Sequence, residues 1–189
     1  MRKNRFVLNF CKRFRIHNAC VDLELRPLMG YVHFLNGFAY ASNSYIAVKI
    51  PLAEIAGELP DYEHLEGKGI HFSAYKKILQ HDMAKVVVDG IECISDEGNV
   101  LYKFSTQYDS SFAERIEKLF ADAIKQEKRD DVSTICLDVS QLSKLSSAIG
   151  CESSQLVLES RVVNKVILVT PNLRDGNAIG LIAPVMISR

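Results

Sequence analysis

The same succession of predicted secondary-structure elements occurs more than once along this chain of 189 residues. Residues 70–105 and residues 134–187 both have the signals of a strand, a short helix and three antiparallel strands. Residues 5–50 supply the strands of a third copy, in which the helix is poorly marked. Repetition of one such unit predicts that sheets of neighbouring copies join and that their helices collect on one face. The expected fold class is therefore α+β, built from repeated β-α-β-β-β units with antiparallel sheets and short helices on one face.

Turn residues mark the boundaries of several predicted strands. Asn36-Gly37 separates the strand-like runs Tyr31–Leu35 and Phe38–Tyr40, and this dipeptide favours a type I′ turn because both residues tolerate positive φ. Val21–Leu25 alternates apolar and acidic residues, as a half-buried strand does. Further predicted strands lie at Phe6–Phe10, Tyr45–Ile50, Ile70–Phe72, on either side of Asp89-Gly90 between Lys85 and Ile94, and at Val100–Ser105, Thr134–Val139, Gln155–Ser160, Lys165–Thr170 and Ala178–Ile187.

Helical periodicity is clearest between Ser111 and Arg129. An apolar face at helical spacing is predicted there for Phe112, Ile116, Leu119 and Ala123. Ser140–Ile149 is a shorter predicted helix, with Gly150 as its C-terminal stop. These elements divide the chain into residues 1–107, which hold two units of which the first is irregular, a helical connection at 108–131, and a single unit at 132–189.

Positive and negative charges balance in number but are segregated along the chain. Lys and Arg total 23, and Asp and Glu also total 23, which argues against a bulk polycation of the histone type. The basic residues of the N-terminal segment all precede the first acid, Asp22, whereas residues 52–66 contain acids and no Lys or Arg. Such asymmetry can separate a phosphate-facing surface from a phosphate-averse one. A solvated tail and a solvated loop would give the same pattern.

The number of cysteines and the length of the apolar runs indicate the cellular compartment in which the chain is expected to fold. The five cysteines are odd in number and form no C-x-x-C pair, so reduced thiols in the cytoplasm are expected. No run of 18 or more apolar residues occurs, and no membrane contact is predicted. Cys11, His17 and Cys20 match no common zinc spacing, so no metal or other cofactor is expected. Phosphate-loop, dinucleotide and nucleophile-elbow motifs are absent from the sequence, and the prediction is a protein that is not an enzyme.

The unit pattern and three stretches of sequence resemble the DNA sliding clamp family, in particular the bacterial beta subunit of DNA polymerase III. Residues 31–48, YVHFLNGFAYASNSYIAV, resemble the stretch that contains the family motif T-D-G-H-R-L-A. Residues 70–79, IHFSAYKKIL, are similar to the strand and helix that follow it. Residues 180–189, GLIAPVMISR, are similar to the Met-Pro-Met-Arg type of carboxy-terminus.

The chain departs from the family pattern at three points. It is too short for three clamp domains, and one β-α-β-β-β unit is expected to be missing from the last domain. Ser42, Ser44 and Tyr45 stand where the turn motif has Asp, His and Arg. The Pro-Asp-Tyr linker is replaced by the predicted helix that contains Phe112–Phe120.

The resemblance implies a protein that works by binding. A clamp holds double-stranded DNA without reading its sequence, and the candidate phosphate contacts are Lys76, Lys77, Lys144, Arg13 and Arg15. A clamp also binds peptides of polymerases and repair proteins, and the resemblance assigns that groove to Ile46, Val48, Ile182, Pro184, Val185 and Met186. Self-association into a ring is implied as well.

Other interpretations of the same residues stay open. The lysines are also explained as ordinary solvated helix residues, and the groove residues as core positions of strands. The first alternative function is a clamp-fold protein-interaction module that does not bind DNA, and the second is an enzyme of unknown chemistry.

Overall fold

A computed structural model describes residues 11–56, 62–128, 135–151, 155–160, 166–172 and 177–185. The strands are β1 (Tyr31–Leu35), β2 (Phe38–Ser42), β3 (Ile46–Pro51), β4 (Lys68–His71), β5 (Ala84–Val87), β6 (Gly90–Ile94), β7 (Val100–Ser105), β8 (Gln107–Tyr108), β9 (Leu156–Ser160), β10 (Ile167–Pro171) and β11 (Ile179–Ile182). The α-helices are α1 (Leu52–Ala56), α2 (Phe72–Ile78), α3 (Ser111–Lys125) and α4 (Val139–Ala148). Short 3₁₀ helices are η1 (Ile16–Ala19), η2 (Pro27–Gly30) and η3 (Tyr62–Leu65).

The strands form two antiparallel sheets. The larger sheet has eight strands in the order β8-β4-β1-β2-β3-β11-β10-β9, and the smaller has the order β5-β6-β7. The pairing of β3 with β11, in which Val48 lies opposite Gly180, joins strands from the first and last thirds of the chain. The α+β fold class with antiparallel sheets is therefore confirmed.

Local turn chemistry explains the hairpins. Asn36 and Gly37 both adopt positive φ, at 51° and 76°, so this dipeptide forms the predicted turn between β1 and β2. The β5–β6 hairpin forms around Asp89-Gly90 as predicted. A Cβ at Gly90 would lie 2.0 Å from the carbonyl oxygen of Phe104 in β7, so the smaller sheet also requires glycine there.

Two of the predicted strands do not form in the described residues, and a third lies outside them. Val21–Leu25 is not a strand, and Leu25 is 96% exposed, because the segment turns towards η2 without a partner strand. Residues 135–138 are not a strand either, since Asp138 caps α4 by accepting from the Ser140 amide at 2.7 Å. The predicted strand Phe6–Phe10 lies outside the described residues.

The helices of the repeated units lie on one face of the larger sheet. Side chains of alternate strand residues, such as Phe34, Val48 and Ile182, are buried in the main core beneath η1, α2 and α4. A Cβ at Gly180 would lie 2.5 Å from a methyl group of Leu145, so α4 approaches β11 where the sheet has no side chain.

The connecting helix α3 covers the opposite face. Tyr40 and Leu181 project from that face into a second core with Phe112, Ile116 and Phe120. Three of the four residues predicted to form the apolar face of this helix are buried, and Leu119 is 51% exposed. Helices therefore pack against both faces of the sheet, because α3 lies opposite the helices of the units.

We expect acid to weaken this fold below about pH 6.5. Burial, followed by the charges of Lys76 and Arg15, lowers the pKa of His17 from 6.5 to about 4. The unfolded chain therefore takes up this proton before the folded chain does, and stability is lost as the pH falls from 6.5 towards 4. Urea unfolding followed by circular dichroism at a series of pH values should show a smaller loss in this window for His17→Gln. Identical pH profiles for the two proteins would contradict the assignment.

Candidate functional site

A layer of positive charge lies on the face of the larger sheet that carries η1, α2 and α4. The stretches 11–20, 72–81 and 139–150 contain no Asp or Glu. Their Lys and Arg side chains are all exposed, and we call these six residues the basic layer: Lys12, Arg13, Arg15, Lys76, Lys77 and Lys144. All five cations predicted to contact DNA belong to it.

Long-range hydrogen bonds bring the N-terminal segment into the basic layer. The backbone amide of Arg15 donates to the Ser147 carbonyl at 3.2 Å, and the Nε of Arg13 donates to the Gly150 carbonyl at 2.8 Å. The Asn18 amide group donates to the Ser147 hydroxyl at 2.9 Å. η1 is thereby held between α2 and α4, so cations from three separate stretches share one surface.

Two acids of the described ranges, Asp82 and Asp138, adjoin the basic layer. Asp82 pairs with Lys12 at 2.7 Å, and both side chains are exposed. Asp138 accepts from the Ser140 hydroxyl and from the backbone amides that begin α4, and these hydrogen bonds keep its pKa below the ordinary value. Exposed pairs of this kind are weak and screened by salt. These two acids therefore offset the positive charge of the layer only weakly.

A second candidate site, the outer groove, lies on the opposite face of the sheet. It is a cavity of about 360 Å³ between α3 and the ends of β3 and β11. Its apolar lining includes Tyr45, Ala47, Ile116, Leu119 and Leu181. Tyr45 and Leu119 are 62% and 51% exposed, so the groove opens to solvent. Arg26 and Arg115 also line it.

The residues predicted for a peptide groove divide between the two faces. Val48 and Ile182 have no exposed surface and belong to the main core, so they do not line the outer groove. Ile46 borders the outer groove, although it is only 2% exposed. Because side chains alternate between the two faces of a strand, the neighbouring residues Ala47 and Leu181 line the groove instead. Sequence patterning did not identify these neighbours because β3 is apolar on both faces.

The carboxy-terminal part of the predicted groove lies beyond β11. Pro184 is partly buried and Val185 is 48% exposed, and neither lines the outer groove. The Val185 amide donates to the Cys136 carbonyl at 2.9 Å, which holds this segment beside the residues that precede α4. Met186 lies outside the described residues.

The turn between β2 and β3 connects the two candidate sites. The side-chain oxygen of Asn43 accepts from the amides of Tyr45 and Ile46, both at 3.0 Å. Its side-chain nitrogen donates to Gln141 of α4 at 2.9 Å. Ser44 has a φ of +77°, which costs a non-glycine residue energy and depends on such support. The sequence predicts a turn here but not its contact with α4.

A polar anchor fixes α3 on the outer face. Glu117 accepts from the Tyr40 hydroxyl at 2.7 Å and from the Lys49 ammonium at 2.8 Å. Burial alone would raise the pKa of Glu117, but the hydrogen bonds from Lys49 and Tyr40 outweigh it and leave the pKa below 4.5. Burial and the adjacent carboxylate raise the pKa of Tyr40 above its ordinary value. The anchor is therefore an ionised carboxylate held by two donors from the sheet.

We found no other arrangement with obvious site chemistry in the described ranges. No cluster of three or more His, Cys, Asp or Glu side chains in those ranges could hold a metal ion. None of the described helices is long and apolar enough to cross a membrane.

Removing the anchor should destabilise the protein. We expect Glu117→Ala to lower the free energy of unfolding by about 1.5–3 kcal/mol, since hydrogen bonds to a charged group are lost. A double-mutant cycle with Lys49→Met, measured by urea unfolding, should give a coupling energy above about 0.5 kcal/mol. Glu127→Gln, at an exposed glutamate just beyond α3, is the control and should change stability little. Additive effects of the two anchor substitutions would argue against the interaction.

Comparison with known proteins identifies the architecture. No protein-family model matches the chain, and no curated protein matches it. The beta chain of DNA polymerase III from Streptococcus pneumoniae superposes with a TM-score of 0.60 at 13% identity, covering 96% of this chain and 64% of that one. The DNA polymerase sliding clamp of Bacillus subtilis gives 0.58 at 9% identity, covering 97% and 64%. The DNA polymerase III beta subunit of Borrelia burgdorferi gives 0.58 at 8% identity, covering 100% and 67%.

The likeness extends over nearly all of this chain and over part of each solved clamp. This chain spans about 64% of the length of the Streptococcus pneumoniae and Bacillus subtilis proteins. Identities of 8–13% make it a likeness of fold. The resemblance to the sliding clamps is thereby confirmed at the level of the fold. The chain has the fold of the bacterial DNA polymerase III beta sliding clamps, in a divergent form.

Proposed function

We propose that this chain is a non-catalytic, sliding-clamp-like module that holds duplex DNA against the basic layer. The observation that carries the proposal is the gathering of six exposed cations on η1, α2, α4 and their flanks, in three stretches, 11–20, 72–81 and 139–150, that contain no Asp or Glu. Such a surface attracts the phosphate backbone without reading bases. The clamp fold supports the proposal, because the solved neighbours are DNA polymerase clamps. The cytoplasm is the compartment in which we expect it to act.

DNA binding should depend steeply on salt and on the lysines of the basic layer. Each phosphate that the protein neutralises contributes about −0.9 to the slope of log K against log salt. We expect the triple variant Lys76→Gln, Lys77→Gln, Lys144→Gln to make this slope shallower by about 2 to 3. Fluorescence anisotropy with two duplexes of unrelated sequence measures both the slope and the lack of sequence preference.

A charge-matched variant provides the control for that measurement. Lys85, Lys118 and Lys125 are exposed lysines outside the basic layer, on β5 and α3. Replacing all three with Gln gives the same net charge as the first variant and should leave the slope unchanged. Equal effects of the two variants, or no duplex binding at low salt, would remove the DNA-binding proposal.

We propose that copies of the chain associate head to tail through the outer strands of the two sheets. β7 ends the smaller sheet and β9 ends the larger one in the described part of the chain. Val100, Leu101 and Tyr102 on β7 are each at least half exposed, and Leu158 on β9 is 42% exposed. Exposed apolar end strands favour pairing with another sheet. A contact between two different surfaces closes into a ring when its rotation permits.

Complementary variants test the head-to-tail arrangement. Leu101→Asp and Leu158→Asp should each be monomeric in sedimentation velocity at concentrations where the unmodified protein is oligomeric, because each blocks one of the two edges. An equimolar mixture should form dimers and nothing larger, since one intact β7 and one intact β9 remain available. A monomeric unmodified protein at micromolar concentration, or a mixture that stays monomeric, would contradict the proposed contact.

The outer groove favours a second candidate function, in which the module binds protein segments such as polymerase or repair-protein peptides. Its apolar lining between α3 and the sheet is the observation in support, because exposed apolar grooves favour peptide ligands. This function does not require DNA. A protein that binds peptides in the groove and fails the salt-dependence test would be a clamp-fold interaction module.

A further inference from the structure

Aromatic side chains form a row between the smaller sheet and the end of α2, and we call His81, Tyr102 and Phe104 the aromatic row. Tyr102 and Phe104 lie on the same face of β7, with ring centroids 6.3 Å apart and ring planes inclined by 18°. His81 packs against Tyr102 at a centroid distance of 5.1 Å. Tyr102 is therefore the central member of the row.

The aromatic row is supported from below and open to solvent above. Tyr102 and Phe104 lie opposite Cys93 and Ile91 of β6, and these two residues have no exposed surface. Phe104 is half-buried against the same core, whereas Tyr102 is 55% exposed. The row therefore presents an aromatic ring to solvent on a side chain whose neighbours are fixed.

The aromatic row adjoins the basic layer. The His81 amide donates to the Ile78 carbonyl at 3.0 Å, so His81 follows directly from α2, whose last turn carries Lys77. The next residue, Asp82, pairs with Lys12 of the basic layer at 2.7 Å. Both side chains of this pair are exposed, so a phosphate can replace the carboxylate at little cost.

Exposed aromatic rings beside cations are typical of sites for single-stranded nucleic acid. Every base has flat faces that stack on an aromatic side chain, while the backbone phosphates bind Lys or Arg. A duplex conceals those faces within its own stack, so the aromatic row can add to binding only where bases are unpaired. The neighbouring cations favour a nucleic acid over an apolar protein segment, because every nucleotide brings a charged phosphate.

We propose that the aromatic row binds unpaired bases of a single-stranded segment whose phosphates lie on the adjoining cations of the basic layer. The inference rests on the proposed DNA-binding function and adds a second kind of ligand, for which Tyr102 is the main stacking residue. The head-to-tail contact proposed above uses the backbone edge of β7, whereas the Tyr102 ring projects from a face of that strand. The two uses of β7 are therefore compatible.

Three ligands of the full-length chain separate stacking from charge. The first is a blunt duplex, and the second is the same duplex with a single-stranded thymine tail of about ten nucleotides. The third has an abasic tail of the same length, which keeps the phosphates but lacks the bases. In fluorescence anisotropy at low salt, we expect the thymine-tailed duplex to bind at least about fivefold more tightly than the abasic-tailed one, because one stacked base is enough to give that factor.

Substitutions at Tyr102 assign this preference to the aromatic row. Tyr102→Leu keeps a large apolar side chain without an aromatic face, so it should bind the two tailed ligands equally and the blunt duplex as before. Binding of the blunt duplex also shows that this variant is folded. Tyr102→Phe retains the aromatic face and should keep the preference. Tyr108→Leu is the matched control, at a tyrosine of β8 that is 79% exposed and belongs to the larger sheet, and it should keep the preference as well.

Each contrary outcome identifies the part that is wrong. Equal affinity of the two tailed ligands for the unmodified protein, with binding of the blunt duplex intact, would overturn this inference alone and leave the row to a contact between copies. A preference that persists in Tyr102→Leu, or is lost in Tyr102→Phe, would overturn the assignment to stacking on the aromatic row. Absence of binding by all three ligands would overturn both the DNA-binding function and this inference.

Discussion

The pairing of β3 with β11 is the contact on which the rest of the structure depends. It aligns Ile46 with Ile182 and Lys49 with Ile179, and so makes one sheet from segments that are more than a hundred residues apart in the chain. On one face this pairing places α4 beside η1, and the basic layer forms across that boundary. On the other face it places Ala47 and Leu181 together as part of the lining of the outer groove. Both candidate sites therefore depend on one stretch of backbone hydrogen bonds.

The order of elements could be predicted wherever local chemistry decides the conformation. Asn36-Gly37 and Asp89-Gly90 dictate tight turns, and periodicity identifies α3. Local patterns failed where tertiary contacts decide. Val21–Leu25 alternates like a strand but has no strand to pair with, and residues 135–138 serve the N-terminus of α4 instead.

The faces of the central strands could not be predicted, because both are covered. Ile46, Ala47 and Val48 follow one another without a polar residue, since η1, α2 and α4 pack on one side and α3 on the other. Successive side chains of a strand point to opposite faces, so an error of one residue in the prediction exchanges a core position for a groove position. The five cations that the sequence predicts to contact DNA all belong to the basic layer. The hydrogen bonds that bring their elements together, such as that from the Arg15 amide to the Ser147 carbonyl, leave no signature in the sequence.

Asn43 lies between the two faces, and its side chain has a thermodynamic consequence. One amide group holds the turn that carries Tyr45 and Ile46, and it also holds Gln141, one helical turn from Lys144. A groove ligand that displaced this turn would either break the hydrogen bond to α4 or move α4 with it. Occupancy of one face and the position of charge on the other would then be linked equilibria, and such linkage is reciprocal. If DNA binds the basic layer, it would change the affinity of the outer groove for its ligand by the same factor by which that ligand changes the affinity for DNA.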